Sequence, residues 1–116
     1  MRPLHVLFVC RENRHRSATA ERLFAKDPAF DVRSAGTSEE ALVRVNRHML
    51  DWADAVFVMD DYQVVALEQQ FPDHERVREV VKLDIPDQYL FMDPDLVELL
   101  NTRARPLLSE LVGRRE

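Results

Sequence analysis

The segment Leu4-His5-Val6-Leu7-Phe8-Val9-Cys10-Arg11-Glu12-Asn13-Arg14-His15-Arg16-Ser17 decides how this chain is read. Leu4 to Val9 is β-branched and aromatic with one interruption at His5, the pattern of a buried strand. From Ser17 to Lys26 the pattern turns helical: Ala20, Leu23 and Phe24 share a face, and Asp27-Pro28 stops it. Cys10, the only cysteine, therefore stands at a strand-to-helix turn, with Arg16 closing the loop. Backbone amides of a loop entering a helix point inward and carry partial positive charge. They bind phosphate oxygens and favour a thiolate set among them. Arg16 adds a planar fork that can hold two phosphate oxygens at once. This is the arrangement that holds a phosphate over a nucleophilic sulfur, with the amides and Arg16 meeting the charge on the equatorial oxygens. Such a loop calls for no metal and no cofactor. Asn13 suits a tight turn because asparagine tolerates a left-handed backbone. Ser17 is placed to donate its hydroxyl to the Cys10 sulfur.

Outward from this segment, strands and helices alternate. Phe30 to Arg33 predicts a second strand, ended by Ser34-Ala35-Gly36-Thr37. Gly36 is one of two glycines and is expected in a conformation that other residues avoid. Leu42, Val45, Met49 and Trp52 fall at helical spacing; Ala55 to Met59 predicts a third strand. Val64, Leu67 and Phe71 repeat with helical period before Pro72, and Val77 to Leu83 predicts a fourth strand. Asp84 to Asp93 is a loop. Asp93-Pro94 has the form of an N-cap followed by proline at the first helical position. One last helix then carries Leu96, Leu100, Ala104, Leu107 and Leu111, kinked or broken at Pro106. The alternation predicts an α/β fold, a four-stranded parallel sheet with helices on both faces and its site beyond the C-terminal strand ends. Cys10, the Ser34 segment and the Asp84 to Tyr89 loop all fall at that edge.

The 116 residues suffice for one domain, and no linker, repeat or low-complexity tract divides them. Hydrophobic content of 46% with 32% charged residues fits a globular chain. The longest apolar run is far too short to cross a bilayer, so no membrane is expected. The start Met1-Arg2-Pro3-Leu4-His5 predicts no secretory signal, and one cysteine without a disulfide partner suits a reducing cytoplasm. The net charge of −5 argues against a general nucleic-acid surface. The basic charge concentrates instead in the loop, where Arg11, Arg14 and Arg16 surround one acid, Glu12.

Taken alone, a cysteine ending a strand is more often a small buried hydrophobe than a nucleophile. Strand before, helix after, Asn13 and Ser17 together favour chemistry. A phosphocysteine intermediate needs an acid for the leaving group and then a base for water. Leu83-Asp84-Ile85-Pro86-Asp87-Gln88-Tyr89 offers Asp84 or Asp87. Tyr89 is a candidate cleft wall, and Glu12, Arg11, Arg14 and His15 are candidate substrate contacts. Bracing the loop is an alternative role for His15, and solvation an alternative for the arginines.

These residues resemble the low-molecular-weight protein tyrosine phosphatases. The resemblance rests on Val6 to Cys10, through Asn13 to Arg16-Ser17, on Ala20-Glu21, on Ser34-Ala35-Gly36-Thr37, and on Ala53-Asp54 through Val58-Met59-Asp60. It implies Asp87 as general acid and base, since Asp87-Gln88-Tyr89 is similar to the family's Asp-Pro-aromatic motif with glutamine for proline. It makes Tyr89 a cleft wall and gives Asn13, Ser17 and Ser34 a supporting role in the loop. It implies a cysteine phosphatase acting on phosphate monoesters, phosphotyrosine protein foremost. The chain departs from the pattern at Glu12, where glycine is usual, at His15, where a second cysteine is common, and beyond Thr37, where an aromatic is absent. Those departures keep three alternatives open: a thiol-coupled arsenate reductase, a phosphatase for small esters such as nucleotides or RNA ends, and a non-catalytic phosphate-binding module.

Overall fold

The central strand is the one the sequence marks most strongly. In the computed structural model, which describes residues 2–115, β1 (Leu4–Cys10) lies between β2 (Phe30–Gly36) and β3 (Ala55–Val58), and β4 (Val81–Lys82) adds to the far side of β3. All three pairings are parallel. α1 (Arg16–Phe24), α2 (Arg47–Trp52) and α3 (Asp61–Gln70) connect the strands, and α4 (Pro94–Arg103) and α5 (Arg105–Arg115) follow β4.

Strand alternation divides the core into two layers. Leu4, Val6, Phe8 and Cys10 face α1, α4 and α5, packing with Ala20, Phe24, Leu96, Leu100 and Leu108. Phe8 stacks between Phe24 and Phe57, with ring centroids 5.7 and 5.4 Å away. Leu7 and Val9 face α2 and α3, packing with Leu50, Leu67 and Val77. Helices cover both faces, as the near-continuous apolar runs require. His5, the one polar residue in β1, stacks on Trp52 at 4.5 Å and shares its Nδ1 with the Trp52 carbonyl.

Several predicted boundaries move. β2 continues through Ser34 to Gly36, because its last residues pair with Phe8, Val9 and Cys10. α2 is only Arg47–Trp52, capped by the Asn46 side chain on the Met49 amide. Leu42 is exposed, and its N–H donates to the Glu12 carbonyl instead of entering a helix. The predicted fourth strand is mostly a 3-10 turn, Glu75–Glu79, with a two-residue strand after it. The last helix divides at Ala104, and Pro106 falls in the first turn of α5, where its missing N–H costs nothing. Leu108, rather than Leu107 or Leu111, is the fully buried residue of α5. Asp93 caps α4 as read, accepting from the Asp95 amide at 2.9 Å.

Asp54 ties the start of β1 to the start of β3. Its carboxylate accepts from Arg2 at 2.7 and 2.9 Å and from the His5 amide at 2.8 Å. Burial pushes the Asp54 carboxyl up, but the Arg2 and His5 hydrogen bonds outweigh it and hold the group below the ordinary carboxylate value. A depressed folded value contributes stability that is complete above the unfolded titration and is lost as pH falls through the folded one. The pair is half-exposed, so its contribution is modest. Asp54→Asn should therefore lower the melting temperature by roughly 2–5 °C at about pH 7, with the gap to the parent closing below about pH 3; thermal denaturation across that range checks it.

Candidate active site

At the C-terminal edge of the sheet the chain leaves β1 and turns into α1 through residues 11–15. Asn13 has φ 61°, the left-handed conformation that asparagine tolerates. That turn aims the Asn13 amide back at the Cys10 sulfur, 3.3 Å away. The Asn13 side chain is buried and donates through Nδ2 to Ser17 Oγ at 2.9 Å and to Ser34 Oγ at 2.8 Å. Ser34 in turn donates to the Glu21 carboxylate. Ser17 Oγ lies 3.0 Å from Cys10 Sγ and 3.3 Å from the Ala35 carbonyl. Since Asn13 already donates to it, the single Ser17 hydrogen is available to one of these two, and sulfur is the nearer. No side chain caps α1 at His15, so its first amides remain open to an anion.

Arg16 is almost wholly buried, at 2% exposure. Its Nη1 donates to Asp60 Oδ2 at 2.7 Å and to the Ile85 carbonyl at 2.9 Å. Both hydrogens of that nitrogen are thereby committed, which leaves the Nε and Nη2 edge as a two-pronged donor. Asp60 itself is fixed twice. Its Oδ1 accepts from the Tyr62 amide, and its own amide donates to Gln63 Oε1 in a capping box at the start of α3. Asp60 and Gln63 are functional positions that the sequence reading did not assign. The signal available was an aspartate directly after an apolar strand, with glutamine three residues on.

A hollow of about 250 Å³ is lined by Cys10, Arg11, Glu12, Arg14, His15, Arg16 and Asp87. Asp87 reaches its mouth, with Oδ1 3.7 Å from Arg16 Nε and the side chain 57% exposed. Asp84 does not reach it: its carboxylate pairs with Lys82 at 3.4 Å, and it lines neither this hollow nor the one beside it. Glu12 and Arg14 lie on the rim, paired with one another at 3.7 Å. His15 forms part of the wall; its Nδ1 is enclosed with no hydrogen-bond partner among the described residues, so it makes no bracing bond through that atom. Tyr89 stands apart from its expected place. It packs half-buried against the core beneath α1 and α4 and lines neither hollow. The aromatic ring near the site is Tyr62, 82% exposed at the start of α3. A larger, open groove of about 870 Å³ adjoins the hollow, sharing Arg11, Arg16 and Asp87 with it.

Gly36 is required here for close approach, not for unusual backbone angles: neither glycine has positive φ. A Cβ on Gly36 would lie 2.5 Å from the Arg11 carbonyl oxygen and 2.7 Å from Ala41 Cβ. The loop is laced to this strand end and to the segment after it, through Thr37 N–H to Cys10 O, Ser38 N–H to Arg11 O and Leu42 N–H to Glu12 O.

No protein-family model matches the sequence, and no curated protein matches it significantly. Solved structures do match in fold. The tyrosine phosphatase Wzb from Escherichia coli K30, in complex with phosphate, is 20% identical over 92% of this chain and 97% of its own, with a TM-score of 0.76. SP-PTP, a low-molecular-weight protein tyrosine phosphatase from Streptococcus pyogenes, is 18% identical over 93% of each chain, also at 0.76. The YwlE arginine phosphatase from Geobacillus stearothermophilus is 24% identical over 97% of this chain and 90% of its own, at 0.61. The fold is therefore that of the low-molecular-weight protein tyrosine phosphatases.

Two substitutions test how the site is held. Gly36→Ala should destabilise the protein by roughly 1–3 kcal/mol, because backbone must move to admit the methyl group; denaturant melts measure it. Asp60→Asn leaves the buried Arg16 without a charged partner and should cost roughly 2 kcal/mol. It should also weaken inorganic phosphate binding on the order of tenfold by loosening the guanidinium, with titration calorimetry as the readout.

Proposed function

We propose that this protein is a cysteine-dependent phosphatase that hydrolyses phosphate monoesters, with phosphotyrosine protein as its foremost substrate. The observation that carries the reading is the convergence on one small hollow of the Cys10 sulfur, the free edge of an anchored Arg16 and the Asp87 carboxyl. Binding alone would need neither a nucleophile nor an acid.

In the proposed first step, the phosphate sits in the hollow with its oxygens on the loop amides and the Nε and Nη2 edge of Arg16. The Cys10 thiolate attacks phosphorus; the S–P bond forms as the P–O ester bond breaks. Asp87, protonated, gives its proton to the leaving oxygen. In the second step the Asp87 carboxylate takes a proton from water, whose oxygen attacks phosphorus. The P–S bond breaks, releasing phosphate and returning the thiolate, which the Ser17 hydroxyl and the Asn13 amide steady. Arg16 and the amides meet the charge of both transition states, so turnover is expected without added metal. The fold neighbours support the phosphoprotein assignment. Those at 0.76 are tyrosine phosphatases, and the arginine phosphatase at 0.61 makes phosphoarginine peptides the natural comparison in the same assay.

Hydrolysis of an aryl phosphate in the presence of a chelator, with inhibition by vanadate, should accompany purified protein. Cys10→Ser should lose activity by at least about a thousandfold; a serine variant of full activity refutes the mechanism. Asp87→Asn should slow turnover by on the order of a hundredfold or more, most steeply for esters with poor leaving groups. The same leaving-group dependence in Asp84→Asn would move the acid role to Asp84.

A further inference from the structure

The groove beside the phosphate hollow is far larger than a phosphate needs, and its charges are unequally satisfied. Two arginines and three aspartates line it. Asp60 is held by Arg16 at 2.7 Å, Asp61 by Lys82 at 2.8 Å, and Asp87 stands 3.7 Å from Arg16. Of the loop arginines, Arg16 is anchored in this way and Arg14 pairs with Glu12. Arg11 differs from both. Its guanidinium makes no hydrogen bond or ion pair among the described residues, it is exposed, and it lines both the hollow and the groove. Its backbone is not free to drift, because its carbonyl accepts from the Ser38 amide at 2.9 Å and packs on Gly36. A fixed backbone thus presents one uncommitted cation at the seam between the reacting phosphate and the surface beyond it.

We infer that Arg11 selects phosphopeptides carrying a carboxylate side chain beside the phosphorylated residue. This rests on the phosphatase reading above and names the substrate class of the same site. A carboxylate matches a single guanidinium in charge and fork geometry. A second phosphate fits less well, since its two charges would share the groove with Asp60, Asp61 and Asp87. The groove is open, and the exposed ring of Tyr62 with Pro86 provides apolar walls along which a peptide can lie.

The test compares two phosphotyrosyl peptides that differ only by Glu or Gln next to the phosphotyrosine. The parent protein should favour the Glu peptide in kcat/KM by about threefold, the scale of a half-exposed ion pair. The quantity read is that ratio, in which any general loss of activity cancels. Arg11→Gln should bring it to one, Arg11→Lys should keep most of it, and Arg11→Glu should invert it. A parent ratio of one, or a ratio that survives in Arg11→Gln, overturns the inference. So does a larger Arg11-dependent preference for a nucleoside bisphosphate over its monophosphate. If no phosphate ester is turned over, the phosphatase reading fails separately. The affinities of the Cys10→Ser protein for the same two peptides then decide on Arg11: a tighter Glu peptide supports the inference, and equal binding overturns it.

Discussion

The amide of Asn13 holds the candidate site together. One buried side chain joins the loop to α1 through Ser17 and to β2 through Ser34, while its left-handed backbone turns the same residue's N–H onto the Cys10 sulfur. Few residues could do this. A larger side chain would not fit against both serines, and a β-branched one would not accept φ 61°. The Ser17 hydroxyl is left with its hydrogen facing sulfur because Asn13 occupies its acceptor side. The Glu21 carboxylate completes the chain of bonds at Ser34. A network so fully satisfied holds its members to one arrangement.

Arg16 is held by a different principle. A guanidinium buried to 2% exposure needs a counter-charge and partners for its donors. Asp60 and the Ile85 carbonyl supply these from two separate strand ends, β3 and the segment after β4. The same contacts that satisfy the burial point the other edge of the guanidinium into the hollow. Asp60 can serve because its second oxygen and its amide are already fixed at the head of α3. Folding thus orders the donor before any substrate arrives, which lessens the ordering cost at binding.

Periodicity carried the sheet and most of the helices, since β1, α1, α3 and the capped start of α4 each bury a regular apolar face. It failed where backbone bonding overrides side-chain pattern. Leu42 and Val45 have helical spacing with Met49, yet the chain at 42–45 is drawn to the loop and to Gly36 by its own amides. Val77 to Leu83 reads as a strand, but only two residues find a partner on β3. The loop chemistry was readable because Cys10, Asn13, Arg16 and Ser17 are close in sequence. Asp60 was not assigned because its role depends on a contact 44 residues distant. Tyr89 was misplaced because neighbours in sequence on an irregular loop need not share a face: Asp87 turns to the hollow and Tyr89 to the core.

The uneven sheet has a bearing on self-association. A parallel sheet of this kind has two open margins, either of which could template a neighbouring chain. On one side β4 is two residues long, too short to offer a continuous ladder. On the other, β2 exposes Asp31 and Arg33 along its first half, and Val43 to Val45 bonds to Gly36 along its second. The segment that braces the catalytic loop is therefore also a guard against strand addition, so loosening it would threaten solubility as well as chemistry.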